Sequence, residues 1–188
     1  MIPGFVVSWA TFPGTVVHEL AHKWACEWRG VTVTDVSYFS LNGSGQVTHH
    51  TPTDHRDTIL ISTAPFAVNT ILSIGCYALA ALAISGVITN QYTRIAALGF
   101  VWLGLSIGMH AFPSAQDLGN VWREVRAHWR RSMVAALVIP MVILFRIASL
   151  LEFFWFDGIY AATLGVATVL TLRVTTAEVA PVLTGVGL

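Results

Sequence analysis

The chain has 188 residues, of which 55% are hydrophobic and only 11% charged, and its formal net charge is zero. Its mean hydropathy is +0.67, whereas about a quarter of the residues of a soluble domain are charged. Composition therefore indicates an integral membrane protein that folds as a single membrane-embedded domain over residues 1–188, in contact with membrane lipid. Without an excess of positive charge, nucleic acid is not expected as a partner.

The first apolar segment, residues 2–28, contains the sequence His18-Glu19-Leu20-Ala21-His22. Histidines four residues apart lie on one face of a helix, so both imidazoles can reach one zinc ion. Glu19 lies beside them and can take a proton from a water molecule activated by the metal. Ionisable groups in an apolar segment are functional candidates, because burying them unpaired costs several kcal/mol. The alternative is a chance motif whose histidines pair at a surface.

A β-hairpin is predicted after this segment. Residues 31–39 alternate and are rich in β-branched side chains, residues 41–45 have turn composition, and residues 46–48 can return as a second strand. An isolated hairpin is marginally stable, so it should pack on the helices or the bilayer. Its edge can pair with an extended peptide, or the hairpin can be a plain connection.

Four further apolar segments follow, at residues 58–88, 95–112, 133–156 and 159–172. The sequence therefore predicts an all-α polytopic membrane protein with about five transmembrane helices and a small β-hairpin between the first two. The core would cover about residues 13–122, and accessory helices about 133–172. Gly104 and Gly108 form a GxxxG pair, which we expect to bring the third span against the first.

Positive charge gives the expected orientation. With the N-terminus outside, only Arg94 falls in an outer loop. The inner loops and their borders contain Lys23, Arg29, Arg56, Arg123, Arg126, Arg130, Arg131 and Arg173. This bias predicts that the histidine motif lies toward the cytoplasmic side of the cell membrane.

A catalytic zinc ion normally has three protein ligands, so a third is required. The candidates are Asp117, His110 and Glu152. Asp117 follows Pro113, which interrupts a helix and would open irregular backbone beside a polar site. Alternatively, Asp117 caps a helix that begins near Leu118. His110 can act as a ligand, orient Asp117 or hold substrate.

Together these elements resemble the site-2 protease family of intramembrane zinc metalloproteases. The resemblance covers about residues 13–122 and rests on three motifs. They are the histidine motif, Ala-Pro-Phe-Ala-Val-Asn at 64–69, similar to the family's Gly-Pro-x-x-Asn, and Phe-Pro-Ser-Ala-Gln-Asp at 112–117, similar to its Asn-Pro-x-x-Asp-Gly.

The resemblance implies an intramembrane zinc-dependent endopeptidase that cleaves membrane-protein or peptide substrates near the cytoplasmic face. It assigns His18, His22 and Asp117 to Zn²⁺, Glu19 to proton transfer and Asn69 to the substrate backbone. It also implies that the hairpin contacts substrate. The alternative is a catalytically inactive metal-binding membrane scaffold, since Leu118 follows Asp117 where the family has glycine.

Overall fold

The computed structural model of the chain describes residues 4–41, 43–85, 90–151 and 155–184. These ranges contain seven helices and two strands: α1 (Gly4–Ala10), α2 (Phe12–Trp28), β1 (Val33–Ser37), β2 (Gln46–His49), α3 (His55–Ser85), α4 (Gln91–Met109), α5 (Ala115–His128), α6 (Met133–Leu151) and α7 (Phe156–Thr184). The expectation of a mainly helical protein with one small hairpin is confirmed.

Three helices, α3, α4 and α6, are long and apolar enough to cross a membrane. They correspond to the second, third and fourth predicted segments. The first predicted segment is divided at Thr11 into α1 and α2, and α2 begins with Pro13 in its first turn. The total of five spans therefore stays a prediction.

Helix α2 approaches α4 through Gly14 and Ser106. The Gly14 amide donates to Ser106 Oγ at 2.9 Å, and that hydroxyl donates to the Thr11 carbonyl at 2.8 Å. A β-carbon on Gly14 would overlap the Ser106 carbonyl group, so only glycine permits this contact. The predicted role of Gly104 and Gly108 in this contact is wrong, because both glycines face other helices.

Helix α4 runs antiparallel to α3, with its glycines against the α3 side chains. Gly104 faces the Tyr77 ring, and Gly108 faces Ser73 and Ala161 of α7. Ser73 Oγ donates to the Gly104 carbonyl at 2.7 Å. Small residues allow this close approach, as the sequence indicated, but the partners are α3 and α7.

Helix α5 is amphipathic and packs its apolar face against the first turns of α3 and the middle of α6. Val121 and Val125 form a buried cluster with Ile59 and Val142. We expect four arginines of this region to lie on the inner side, at positions 123, 126, 130 and 131. All four are exposed. They lie on the side of α5 away from this cluster or in the connection to α6.

Helices α6 and α7 both run parallel to α3. Helix α6 lies along the earlier part of α3, and α7 lies along the later part. In α6, Phe145 packs on Phe66 of α3 with ring centroids 4.8 Å apart. In α7, Gly165 then contacts Tyr77, and Arg173 shares a cavity with Ser85 at the α3 C-terminus. The two helices therefore do not form an antiparallel pair of spans.

This direction corrects one topological assignment. Arg56 lies at the start of α3 and Arg173 near its end, and a helix of 31 residues is about 46 Å long at 1.5 Å per residue. The two arginines thus lie at opposite ends of α3, so the prediction that both lie on the inner side does not hold for a membrane that α3 crosses. Glu152 lies outside the described residues.

The hairpin packs along α2 and reaches back to α1. Its strands are antiparallel, with Val36 opposite Val47. In the connecting loop, the Phe39 ring contacts Trp9 edge to face at 5.0 Å. Gly45 lies directly against the Glu19 side chain, where a β-carbon would overlap it. The predicted hairpin is confirmed, and its loop covers the histidine motif.

The packing of α4 gives a first prediction. Gly108→Val places a branched side chain against Ser73 and Ala161, so we expect a loss of about 1–3 kcal/mol from overpacking. Gly99→Val is the matched control on the same helix, since nothing lies within 4 Å of its β-carbon position. Thermal unfolding in detergent should lower the Tm of the first variant only. Equal Tm values would contradict the packing described.

Candidate metal centre

Three ligand atoms from two helices meet beside the hairpin. His18, His22 and Asp117 each offer one atom, and these atoms lie within 4.8 Å of one another in a largely buried position. The two Nε2 atoms of His18 and His22 are 3.2 Å apart, and His22 Nε2 lies 3.4 Å from Asp117 Oδ2. Among the described residues this is the only group of three or more such ligands.

Backbone carbonyls fix the orientation of both imidazoles. His18 Nδ1 donates to the His110 carbonyl at 2.8 Å, and His22 Nδ1 donates to the Ile61 carbonyl at 2.9 Å. In a neutral imidazole whose Nδ1 carries the proton, Nε2 carries the lone pair. The two Nε2 atoms therefore point toward the same place, where they can share a proton or bind one metal ion.

The Ile61 carbonyl is available because of Pro65. Proline has no backbone N–H, so the carbonyl four residues earlier in α3 cannot receive its usual helical hydrogen bond. The His110 carbonyl is available because α4 ends there. Each histidine thus uses a main-chain acceptor that regular helix geometry leaves unoccupied.

The distances fit a tetrahedral metal. With zinc–nitrogen and zinc–oxygen distances near 2.0–2.2 Å, neighbouring ligand atoms in a tetrahedron lie about 3.3–3.5 Å apart. Two of the three separations, 3.2 and 3.4 Å, are close to this value, and the third, between His18 and Asp117, is within 4.8 Å. A proton on His22 can join only one pair of these atoms, whereas a metal ion engages all three. The donor set of two imidazoles and one carboxylate suits Zn²⁺.

Asp117 has two partners, because it also belongs to the N-terminus of α5. That helix begins at Ala115, earlier than expected, and its N-cap is Ser114 rather than Asp117. Ser114 Oγ donates to Asp117 Oδ2 at 2.5 Å, while the Asp117 amide donates back to Ser114 Oγ at 3.2 Å. The capping interaction and the approach to His22 therefore use the same carboxylate.

The charge state of Asp117 also suits a ligand. Burial acts to raise the pKa of Asp117, but the hydrogen bond and charge of His22 and the hydrogen bond from Ser114 outweigh it and lower the pKa. The carboxylate is therefore ionised at neutral pH, which is the form that binds metal.

His110 lines the aromatic side of the site next to Glu19, and Asn69 lies between helices. The His110 ring donates through Nδ1 to the Ser106 carbonyl at 3.0 Å and lies outside the three-ligand group. Its main-chain carbonyl orients His18 instead. Asn69 is fully buried, and its amide nitrogen faces the carbonyls of Ile107 at 3.2 Å and His110 at 3.0 Å. It joins α3 to α4, as a buried packing amide would.

Two clefts meet at Glu19. The aromatic cleft has a volume of about 430 Å³, and the strand cleft, alongside β2, has a volume of about 400 Å³. Both are lined by His18, Glu19, Gly45, Ser114 and Ala115. The aromatic cleft also has Ser8, Thr15, Gly43, Ser44, Met109, His110, Phe112, Pro113, Ala148, Ser149, Phe156 and Asp157. The strand cleft also has His22, Gln46, Val47, His49, Gln116, Asp117 and Asn120.

Thr15 and Asp157 are among the polar residues of the aromatic cleft that sequence reasoning missed. Thr15 is 6% exposed, and its hydroxyl has no hydrogen-bond partner within the described ranges. Its spacing of three and four residues from His18 and Glu19 places it on the same helix face, and this signal could have identified it. Asp157 comes from the first turn of α7, and only the direction of α7 brings it to the site.

Comparison of the chain with protein-family models, characterised proteins and solved structures gives no match. The assignment of a role therefore depends on the geometry of the site, and the family resemblance stays a prediction.

Removal of a ligand tests the metal centre. We expect His22→Ala and Asp117→Ala each to weaken zinc binding by more than about 100-fold, beyond the usual effect of outer partners. His49→Ala is the control, because this histidine lines the strand cleft outside the ligand group. Zinc would be counted by elemental analysis after dialysis against a competing chelator. Zinc retained in both ligand variants would rule the centre out.

Pro65→Ala tests how His22 is oriented. An N–H at position 65 competes with His22 Nδ1 for the Ile61 carbonyl, so we expect zinc affinity to fall about tenfold. Because proline inside a helix is unfavourable, the same change should leave Tm unchanged or raise it. Pro140→Ala within α6 is the control, with no effect on zinc. Unchanged zinc affinity in Pro65→Ala would contradict this role.

Proposed function

We propose that this protein is a zinc-dependent endopeptidase that hydrolyses peptide bonds of membrane-spanning substrates near the cytoplasmic face of a membrane. The observation that supports this proposal best is the convergence of His18, His22 and Asp117 in a cleft that Glu19 also lines. The resemblance of the three sequence motifs to the site-2 protease family favours the same reaction.

The metal ligands and Glu19 have separate roles in this reaction. His18, His22 and Asp117 would hold Zn²⁺. When bound, this ion polarises a carbonyl group and lowers the pKa of a bound water molecule toward neutrality. Glu19 takes a proton from a water molecule as the water oxygen attacks the scissile carbonyl. It then returns the proton to the departing amine as the carbon–nitrogen bond breaks. The Gly45 contact holds the Glu19 side chain in the cleft.

A membrane-spanning substrate must unwind before attack, because a helix hides its carbonyls in its own hydrogen bonds. Strand β2 offers a compensating interaction. In the described part of the chain it pairs with β1 alone, and Gln46, Val47 and His49 line the strand cleft. An unwound segment that pairs with β2 would lie alongside the ligand group, and its main-chain hydrogen bonds would offset those lost from the helix.

A catalytically inactive metal-binding membrane scaffold is the second candidate. The burial of Asn69 favours it, since the residue expected to hold substrate faces helix carbonyls and lies outside both clefts. The two candidates differ in the role of Glu19. A scaffold needs the ligands only, whereas a peptidase also needs a base.

Glu19→Gln distinguishes them. We expect kcat to fall about 10²–10⁴-fold, the range for loss of a general base, while stoichiometric zinc is retained. Glu27→Gln is the matched control, because Glu27 is exposed on the same helix and its ion pair among the described residues is with Lys23 at 3.6 Å. The measurement is cleavage of a library of quenched fluorescent transmembrane peptides in detergent. Zinc-loaded protein that cleaves none of them would favour the scaffold, and full turnover by Glu19→Gln would exclude this base.

A further inference from the structure

The aromatic cleft ends at a carboxylate that the reaction does not use. Asp157 and His110 both line this cleft. The first turn of α7 that presents Asp157 is held in place, because the Tyr160 hydroxyl lies 2.7 Å from Thr70 Oγ1. The Phe156 ring also packs on Phe112 at 5.6 Å. These contacts fix the first turn of α7, which carries Asp157, at the wall of the cleft.

Asp157 has no lysine or arginine partner on the described part of the cleft wall. The charged side chains among the described residues that line the aromatic cleft are Glu19 and Asp157, and no lysine or arginine joins them. No ion pair of Asp157 occurs within the described ranges.

The charges at the metal centre balance without it. The two positive charges of zinc are matched by Asp117 and Glu19, so Asp157 is the excess charge of the cleft. A carboxylate beside aromatic rings gains most from a cation, because low local polarity strengthens the attraction.

We propose that Asp157 is a specificity-determining residue that receives a cationic group of the substrate, namely a lysine or arginine side chain close to the scissile bond. The proposal rests on the proposed function and adds a substrate preference to it. The same carboxylate could attract the amino terminus that cleavage creates, since both groups are ammonium-like. The experiment separates these two sources.

The probes are short peptide hydroxamates, whose hydroxamate group anchors them on zinc. One series has lysine at each of three successive positions next to the hydroxamate, and the matched series has norleucine, which has a similar chain without the charge. Both are acetylated. A third probe is the norleucine peptide with a free amino terminus. Dissociation constants are measured by calorimetry on the zinc-loaded protein in detergent.

We expect the lysine peptide to bind about tenfold more tightly than norleucine at one position, as for a hydrogen bond to a charged group. Asp157→Asn should remove this preference, Asp157→Glu should keep it, and Asp157→Lys should favour a glutamate peptide. Asp35→Asn is the control, because Asp35 is exposed on β1. Zinc content of each variant reports whether the site is folded.

Three results would overturn the proposal. The lysine preference could be absent, or it could persist in Asp157→Asn with full zinc content. A preference for the free amino terminus alone would assign Asp157 to the product rather than to a side chain, and it would also refute the proposal. If no hydroxamate binds and no zinc is retained, the metal centre itself fails. Tight binding without a charge preference would instead leave the metal centre intact and refute only the role of Asp157.

Discussion

Two imidazoles whose Nε2 atoms lie 3.2 Å apart, beside the Asp117 carboxylate, are the constraint on which the site depends. The arrangement is unfavourable unless a proton or a metal ion lies between the two nitrogen atoms. It persists because each Nδ1 is bound to a carbonyl of a different helix, so neither ring can turn away without losing a buried hydrogen bond. Outer partners of this kind set the tautomer and direction of metal-binding histidines. Local breaks in α3 and at the end of α4 therefore decide the chemistry available on α2.

Near the metal centre, polar contacts join α2, α3 and α4. Asn69 bridges α3 to α4, while Ser106 links α4 to α2 through both Gly14 and Thr11. Apolar surfaces alone allow helices to slide, because one aliphatic contact resembles the next. The amide nitrogen of Asn69 and the hydroxyl of Ser106 have partners in one register only, and a shift would leave both without a hydrogen bond. These contacts stabilise the register that brings His18 to the His110 carbonyl.

Local patterns were sufficient for the features that depend on local geometry. The spacing of His18 and His22 predicts a shared helix face, and the alternation before a glycine-rich turn predicts the hairpin. The third candidate ligand Asp117 could be named because few ionisable residues occur in the chain. The structure brings it to His22, although the cap of α5 is one turn earlier than expected.

Features that depend on which helices meet were beyond these patterns. Hydropathy gives the length of a segment but not its direction, so α6 and α7 could not be recognised as consecutive helices along α3. The GxxxG pair likewise predicts close packing without naming the partner, which is Tyr77 and Ala161 rather than α2. The role of Pro65 could not be predicted for the same reason. The loss of an N–H is visible in the sequence, but the histidine that uses the freed carbonyl comes from another helix.

The two clefts differ in a way that matters for hydrolysis within a membrane. The strand cleft is lined by polar side chains such as Gln46, Gln116 and Asn120, whereas Phe112 and Phe156 line the aromatic cleft. The strand cleft therefore stabilises water, and the aromatic cleft stabilises an apolar segment. Glu19 is shared by both, so the proposed base lies where the two reactants would meet. Because Asp117 lies in the strand cleft and Asp157 in the aromatic cleft, one carboxylate can serve the metal while the other serves the substrate. A single polar cavity around the ligands could not separate these two tasks, since water would then solvate Asp157 and weaken its attraction for a cation.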